Sequence, residues 1–217
     1  MRANAIIATI LLCAAAATAR AGDNELEAGG ETRALRSASA DALTDASLGG
    51  GHFAYARAFG ELSPGLELWL GGGLDFGGAG GTMFQTLTTT IGTFEILATA
   101  RVRYRLYDHV LATARVSAGS TRTSLEIDDG MGGDLSDARW GAIMRGAIGL
   151  DLATREHATW SAALRAELGY ARATAPELVL QPSTPDDGTL RLPMTESAIG
   201  HLDLSGPFAA ISLVCQF

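Results

Sequence analysis

The residues best suited to chemistry lie near the carboxy-terminus, where His201, Asp203 and Ser205 stand at alternate positions. An imidazole, a carboxylate and a hydroxyl are the parts of a nucleophilic hydrolase, such as a lipid-modifying enzyme. On a strand, however, residues two apart point the same way about 7 Å apart. That spacing exceeds the reach of a nucleophile–base hydrogen bond. The set therefore reads as a polar stripe on the last strand, and no enzymatic activity is expected. Asp128-Asp129 and Asp186-Asp187-Gly188 offer oxygen ligands, but neither has the spacing of a calcium loop. They read as solvated loop tips, as do Asp41 and Asp45. Gly71-Gly72-Gly73 and the glycines from Gly77 to Gly81 have the composition of a phosphate-cradling loop, yet no lysine follows and no helix is predicted. Strand curvature and loops explain them. No cofactor and no metal are expected. Arg101, Arg103 and Arg105 stack along one face, as an anion path or as the basic half of an internal ion-pair ladder. The ladder is the expected role, because a small barrel leaves little free bore.

The elements that must position these side chains follow from composition and periodicity. Arg2, the apolar run Ala5 to Ala17 and the small residues of Ala19-Arg20-Ala21 form a secretory signal peptide over residues 1–21, with the mature domain over 22–217. Leu12 before Cys13 argues against lipoprotein processing. No later segment has the apolar length of a membrane helix. Cys215 is the single cysteine after residue 21, so no intrachain disulfide is available to the mature domain. The chain carries a formal charge of −8 and all its basic side chains but histidine are arginine, a balance that argues against nucleic acid as a partner. Its 27 glycines and 6 prolines suit many turns and tightly curved strands.

The hydrophobic period is two. Trp140, Ala142, Met144, Gly146, Ile148, Leu150 and Leu152 alternate with Gly141, Ile143, Arg145, Ala147, Gly149 and Asp151. Ala158 to Tyr170, Phe94 to Leu106 and Leu66 to Phe76 repeat the pattern. These runs reach the nine to eleven residues, roughly, that a tilted membrane strand needs. Connections alternate in length. Tight turns are predicted at Glu61–Gly65, Tyr107–His109 and Thr154–His157, and longer loops at Ala38–Asp45, Gly77–Thr89, Glu126–Asp137 and Thr174–Glu196. The last strand is placed at His201–Phe217 with a bulge at Gly206-Pro207, where the apolar phase shifts. Seven strands account for the chain back to Leu48. An even number requires one more, and Glu25–Arg36 is the stretch left for it, although its pattern is poor.

The chain ends on an alternating strand closing with an aromatic residue, Ala209-Ala210-Ile211-Ser212-Leu213-Val214-Cys215-Gln216-Phe217. In this it resembles the small eight-stranded outer-membrane barrels of Gram-negative bacteria, the class that includes the transmembrane domain of outer-membrane protein A. The resemblance implies an all-β, up-and-down antiparallel barrel in the outer membrane. Short turns would be periplasmic and long loops extracellular. Its partners would be outer-membrane lipid and the barrel-assembly machinery, engaged through the strand that ends in Phe217. In such a barrel the apolar faces meet lipid, with Phe94, Tyr104, Trp140, Trp160, Tyr170 and Phe217 as interfacial aromatics. The charged alternate positions then point inward: Glu67, Asp75, Glu95, Arg101, Arg103, Arg105, Arg115, Arg145, Asp151, Arg165 and Glu167. Buried charges must be paired, so an arginine–carboxylate network is expected to fill the lumen. A structural or surface-interaction role is the primary expectation. A narrow porin-like pore, a membrane-embedded lipid enzyme and a soluble periplasmic lipid-binding barrel are the alternatives, the last with the apolar face turned inside.

Overall fold

The computed structural model describes residues 23–44, 47–83, 87–128, 134–153, 160–182 and 197–217. Residues 1–21 and the Thr154–His157 turn lie outside that set. Among these residues there are ten strands and one short helix: β1 (Asn24–Ala34), α1 (Ala38–Leu43), β2 (Ser47–Ser63), β3 (Leu66–Met83), β4 (Leu87–Tyr107), β5 (Val110–Asp128), β6 (Asp134–Ala153), β7 (Ser161–Ala173), β8 (Glu177–Pro182), β9 (Ser197–His201) and β10 (Gly206–Gln216). Each strand from β1 to β6 pairs antiparallel with the next, β7 pairs with β10, and β10 returns to β1. The result is a closed, up-and-down barrel of eight strands. Closure leaves no edge in the ring, so every ladder group there has a partner. Among the described residues no helix is long and apolar enough to cross a membrane.

The register fixes the geometry. Partners followed once around the ring run from Leu66 through Tyr104, Ala112, Leu150, Ala166, Ile211, Gly30 and Gly51 to Phe76. The path returns to β3 ten residues further on. A shear of ten over eight strands tilts them about 40° from the barrel axis. At one end the turns are short. Pro64-Gly65 joins β2 to β3, with Gly65 at φ 76° where a side chain would be strained, and Asp108-His109 joins β4 to β5. Both chain termini of the barrel meet at this end, where Asn24 and Phe217 exchange backbone hydrogen bonds at 3.1 and 3.0 Å.

The other end departs from the loops expected there. Most of Gly77–Thr89 is strand, and so are both flanks of Glu126–Asp137, because β3 runs to Met83, β4 begins at Leu87, β5 reaches Asp128 and β6 begins at Asp134. These four strands stand above β1, β2, β7 and β10. Ala38–Asp45 contains α1, whose first turn is capped by Ser37 Oγ accepting from the Ala40 N–H at 3.1 Å. Thr174–Glu196 contains β8, which pairs with β9 and touches β6 through Leu135–Pro182 and Ser136–Gln181. The last barrel strand starts at Gly206, not His201. Gly206-Pro207 is its beginning rather than a bulge within it. A proline lacking an N–H is tolerated at the start of a strand. The weakly patterned first strand is a full member of the ring, paired on both edges.

Candidate functional site: an ionic lumen under an apolar cap

Side-chain direction follows from the strand period of two. On β4 the odd positions Ile91, Thr93, Glu95, Leu97, Arg101 and Arg103 are buried, whereas Phe94, Tyr104 and Leu106 are exposed. On β6 the outward row includes Trp140, Met144, Ile148, Leu150 and Leu152, with Ile148 71% exposed, while Arg145 and Asp151 are buried. Phe94, Tyr104, Trp140, Trp160, Tyr170 and Phe217 are all exposed.

The lumen holds two ionic clusters. Toward the short-turn end, Arg165 forks onto Asp151 through Nε and Nη2, both at 2.7 Å, and its Nη1 donates to Glu25 at 2.9 Å and Glu27 at 2.6 Å. Arg101 bridges the same two glutamates, reaching Glu27 at 2.6 Å. Arg103 donates to Glu25, lies 3.5 Å from Asp151, and stacks 4.5 Å from the centre of the Trp69 ring. Arg115 stands 2.6 Å from Glu167. His52 Nε2 lies 3.2 Å from Glu27 and 3.0 Å from Ser212 Oγ. Further up, Arg145 joins Glu31 at 2.8 Å, Glu95 at 2.5 Å and Asp75, and Arg33 joins Glu31 and Glu95 at 3.1 Å each. Planar guanidinium groups can serve several carboxylates at once, which suits them to so crowded an interior. A void of about 10 Å³ beside Glu31, Asp75, Glu95 and Arg145 has room for no more than a single water.

Of the eleven charged residues expected inside, Asp75, Glu95, Arg101, Arg103, Arg115, Arg145, Asp151, Arg165 and Glu167 lie in these pairs. Two expectations are corrected. Arg105 is exposed, because β4 leaves the ring's interior beside the Asp108-His109 turn. Glu67 is half-buried and accepts from the Trp69 indole at 3.0 Å instead of an arginine. Sequence reasoning missed Glu25, Glu27, Glu31, Arg33, His52 and Ser212. The signal was present for four of them, since Glu25, Glu27, Glu31 and Arg33 share one parity of β1.

Above Arg33 and Arg145 the interior changes character. Leu35, Ala40, Leu43, Leu48, Ala79, Ile91, Leu125, Leu178, Leu180, Leu202 and Leu204 form one buried apolar cluster. It is assembled from the inner faces of β2 to β5, from α1, from β8 and from the segment leading into β10. Thr89 Oγ1 donates to the Leu43 carbonyl and Ser37 Oγ to the Asp203 carbonyl at 2.7 Å, tying α1 into place. Outward positions on the same strand ends are polar or small: Gly78, Gly80, Thr88, Thr90, Ser124 and Glu126 are exposed.

The other candidates do not assemble. His201 lies in β9, where its Nδ1 is 3.1 Å from the Ala175 carbonyl, and Ser205 Oγ bonds the backbone of Ala173. Asp203 accepts from the Ser205 N–H at 2.9 Å. They belong to the segment before β10, not to a stripe within it. Glu27, His52 and Ser212 have the residue types of a charge relay, but acid and hydroxyl share one ring nitrogen and all three are buried in the lumen. Asp128 ends β5, and Gly71–Gly81 lie in β3. Asp129, Asp45 and Asp186-Asp187-Gly188 fall outside the described residues, as does the Asp41 side chain. No group of three or more potential ligands among the described residues is placed to hold a metal.

No family model and no curated protein matches the chain. Among solved structures, Ail, the attachment invasion locus protein of Yersinia pestis, is similar at 11% identity and a TM-score of 0.45, over 91% of this chain and 98% of that one. The β domain of the Bordetella autotransporter BrkA is similar at 9% identity and a TM-score of 0.41, over 90% of this chain and 99% of that one.

Proposed function

We propose that this chain is an outer-membrane barrel with a structural or surface-interaction role, acting through the cap at its long-connection end. One observation carries the reading: the polarity of the strands reverses along their length. From the short turns up to Phe94 and Trp140, large apolar side chains face out, and the interior holds the ion pairs with an apolar patch of Leu97, Ile143, Ala147, Ala171, Phe208 and Ala210 beside them. Above that level apolar side chains face in and threonines, serines and acids face out. Only surroundings that change from hydrocarbon to water at that height favour such a reversal. The short-turn end, with both barrel termini, is then periplasmic and the cap extracellular. Residues 1–21 would serve as the export signal, and the β10 strand ending in Phe217 as the contact for the barrel-assembly machinery.

The filled lumen and the apolar cap weigh against a pore, and the separation of His201 from Ser205 weighs against a lipid enzyme. A soluble lipid-binding barrel would need its apolar rows inside. The test is fractionation of the expressed protein with heat-dependent electrophoretic mobility. A compact, urea-resistant band in the outer-membrane fraction is expected, with no conductance in planar bilayers. Recovery in the soluble periplasmic fraction would overturn the proposal, and steady single-channel currents would revive the pore.

A further inference from the structure

The two ionic clusters of the lumen differ in balance. Toward the short-turn end, Glu25, Glu27, Asp151 and Glu167 face Arg101, Arg103, Arg115 and Arg165, four carboxylates to four guanidinium groups. The upper cluster sets Glu31 of β1, Asp75 of β3 and Glu95 of β4 against Arg33 of β1 and Arg145 of β6, three to two. Arg145 touches all three acids, and Arg33 touches Glu31 and Glu95. Among the described residues no further cation is paired with them. His52 of β2 turns to Glu27 and Ser212, and Arg115 of β5 to Glu167, so both reach Asp75 through space alone. At the same level β7 and β10 turn in Ala171, Phe208 and Ala210, none of them charged.

Solvent offers the third acid little compensation. The side chains of Arg33, Glu95 and Arg145 are at most 2% exposed, Glu31 8% and Asp75 14%. The apolar cluster of the cap lies above, and the void beside the acids has room for one water at most. A carboxylate without a matching cation is very costly in such a space, and taking up a proton removes that cost. We infer that Glu31, Asp75 and Glu95 hold one proton between them while the barrel is folded, and that this proton makes the level beneath the cap sensitive to alkaline pH. With it the cluster carries two negative and two positive charges. Above about pH 5 the unfolded chain has its carboxyls ionised, so the folded barrel binds one proton more. The stability this proton contributes is complete below the free carboxyl range and falls as pH rises, until the folded cluster releases it.

Two measurements on the full barrel in detergent micelles test this. The infrared spectrum at neutral pD is expected to contain the carbonyl stretch of a protonated carboxyl, absent from the urea-unfolded chain. Asp75→Asn leaves two acids for two arginines and should remove that band, as should Glu95→Gln, which stands in if the first variant does not fold. His52→Gln should keep it. In reversible urea unfolding between about pH 6 and 8, the ratio of the wild-type to the Asp75→Asn folding constant should fall about tenfold per pH unit, the slope for one proton. A folded wild type without the band overturns the proposal, and so does a ratio that does not change with pH. A band that outlasts both carboxyl substitutions, or that disappears with His52→Gln, overturns the assignment of the proton to these three acids.

Discussion

The lower barrel and the cap are built from the same strands by opposite rules. On β4, Glu95, Arg101 and Arg103 point inward below, and Ile91 points inward above. The outward row runs from Tyr104 and Phe94 to the exposed Thr90 and Thr88. The backbone cannot tell these halves apart, since ladder and twist continue through both. On the membrane reading proposed above, the difference lies in what surrounds the outer face. In hydrocarbon an outward apolar side chain gives up little, so the driving force from water is absent and the interior is held by ion pairs. In water the interior is held by apolar burial, as in any soluble sheet. The two regions should therefore fail differently.

The largest effect is expected in the lower lumen. Arg165 is fully buried and serves Glu25, Glu27 and Asp151. Arg165→Leu strands three carboxylates with less compensation and should cost about 3–5 kcal/mol, the scale for breaking a buried pair from one side. Urea titration of the heat-modifiable band measures it. A wild-type midpoint would break the comparison, because the ionic filling would then contribute nothing. Leu125→Ala is the counterpart in the cap. Leu125 is fully buried there, and about 2–5 kcal/mol is expected from the lost side chain and its cavity. That loss should appear as local opening, with faster amide exchange at Ile91 and Leu178 while the ring keeps its folded mobility. Global unfolding of the ring would show that cap and barrel form one cooperative unit.

Outward substitutions sharpen the contrast further. Ile148→Arg places a charge near mid-height on the apolar face and should destabilise the inserted barrel by about 2–4 kcal/mol. Thr90→Arg, on the outward face above Phe94, should change the folding midpoint by no more than about 0.5 kcal/mol. Equal costs at the two sites would remove the case for a change of solvent between them.

The same reversal explains what the sequence made legible. Long alternating runs at Leu66–Phe76, Phe94–Leu106, Trp140–Leu152 and Ala158–Tyr170 identify most of the barrel, because each pairs an apolar row with a charged one. The extensions of β3 to β6 read as loops, because Gly78, Gly80, Thr88 and Thr90 offer no apolar outward row. Their inward Ala79, Ile91 and Leu125 are spaced too sparsely to stand out without knowing that the phase inverts. β1 was obscured for the opposite reason. Of its outward Leu26, Ala28, Gly30 and Thr32, Leu26 alone is strongly apolar, while its inward Glu25, Glu27, Glu31 and Arg33 carry the alternation in charge. A search for period two in charge, rather than in hydrophobicity, finds that strand and with it Glu25, Glu27 and Glu31 of the lumen. The helix Ala38–Leu43 is too short for a periodic signal, and the Ser37 cap is its main local cue.

The smallest effect concerns how the β8–β9 hairpin is held against the ring. Asp137 accepts from the Val179 N–H at 2.9 Å, from Arg139 Nε at 2.9 Å and from the Ala138 N–H at 2.8 Å. Burial pushes its carboxyl up, but these donors outweigh that and hold it below the ordinary aspartate range. A carboxyl depressed in the docked state stabilises docking above its free pKa, and that contribution fades as pH falls through the docked value. The hairpin should therefore loosen below about pH 4. Val179 amide exchange, corrected for its intrinsic pH dependence, should be slower at pH 6 than at pH 3. Asp137→Asn should abolish most of that difference while the ring keeps its folded mobility at pH 6. A pH dependence that survives the substitution would assign it to another titrating group, and the Asp137 clasp would then be incidental to a docking held by the Leu178 and Leu180 contacts and the β6–β8 pairing.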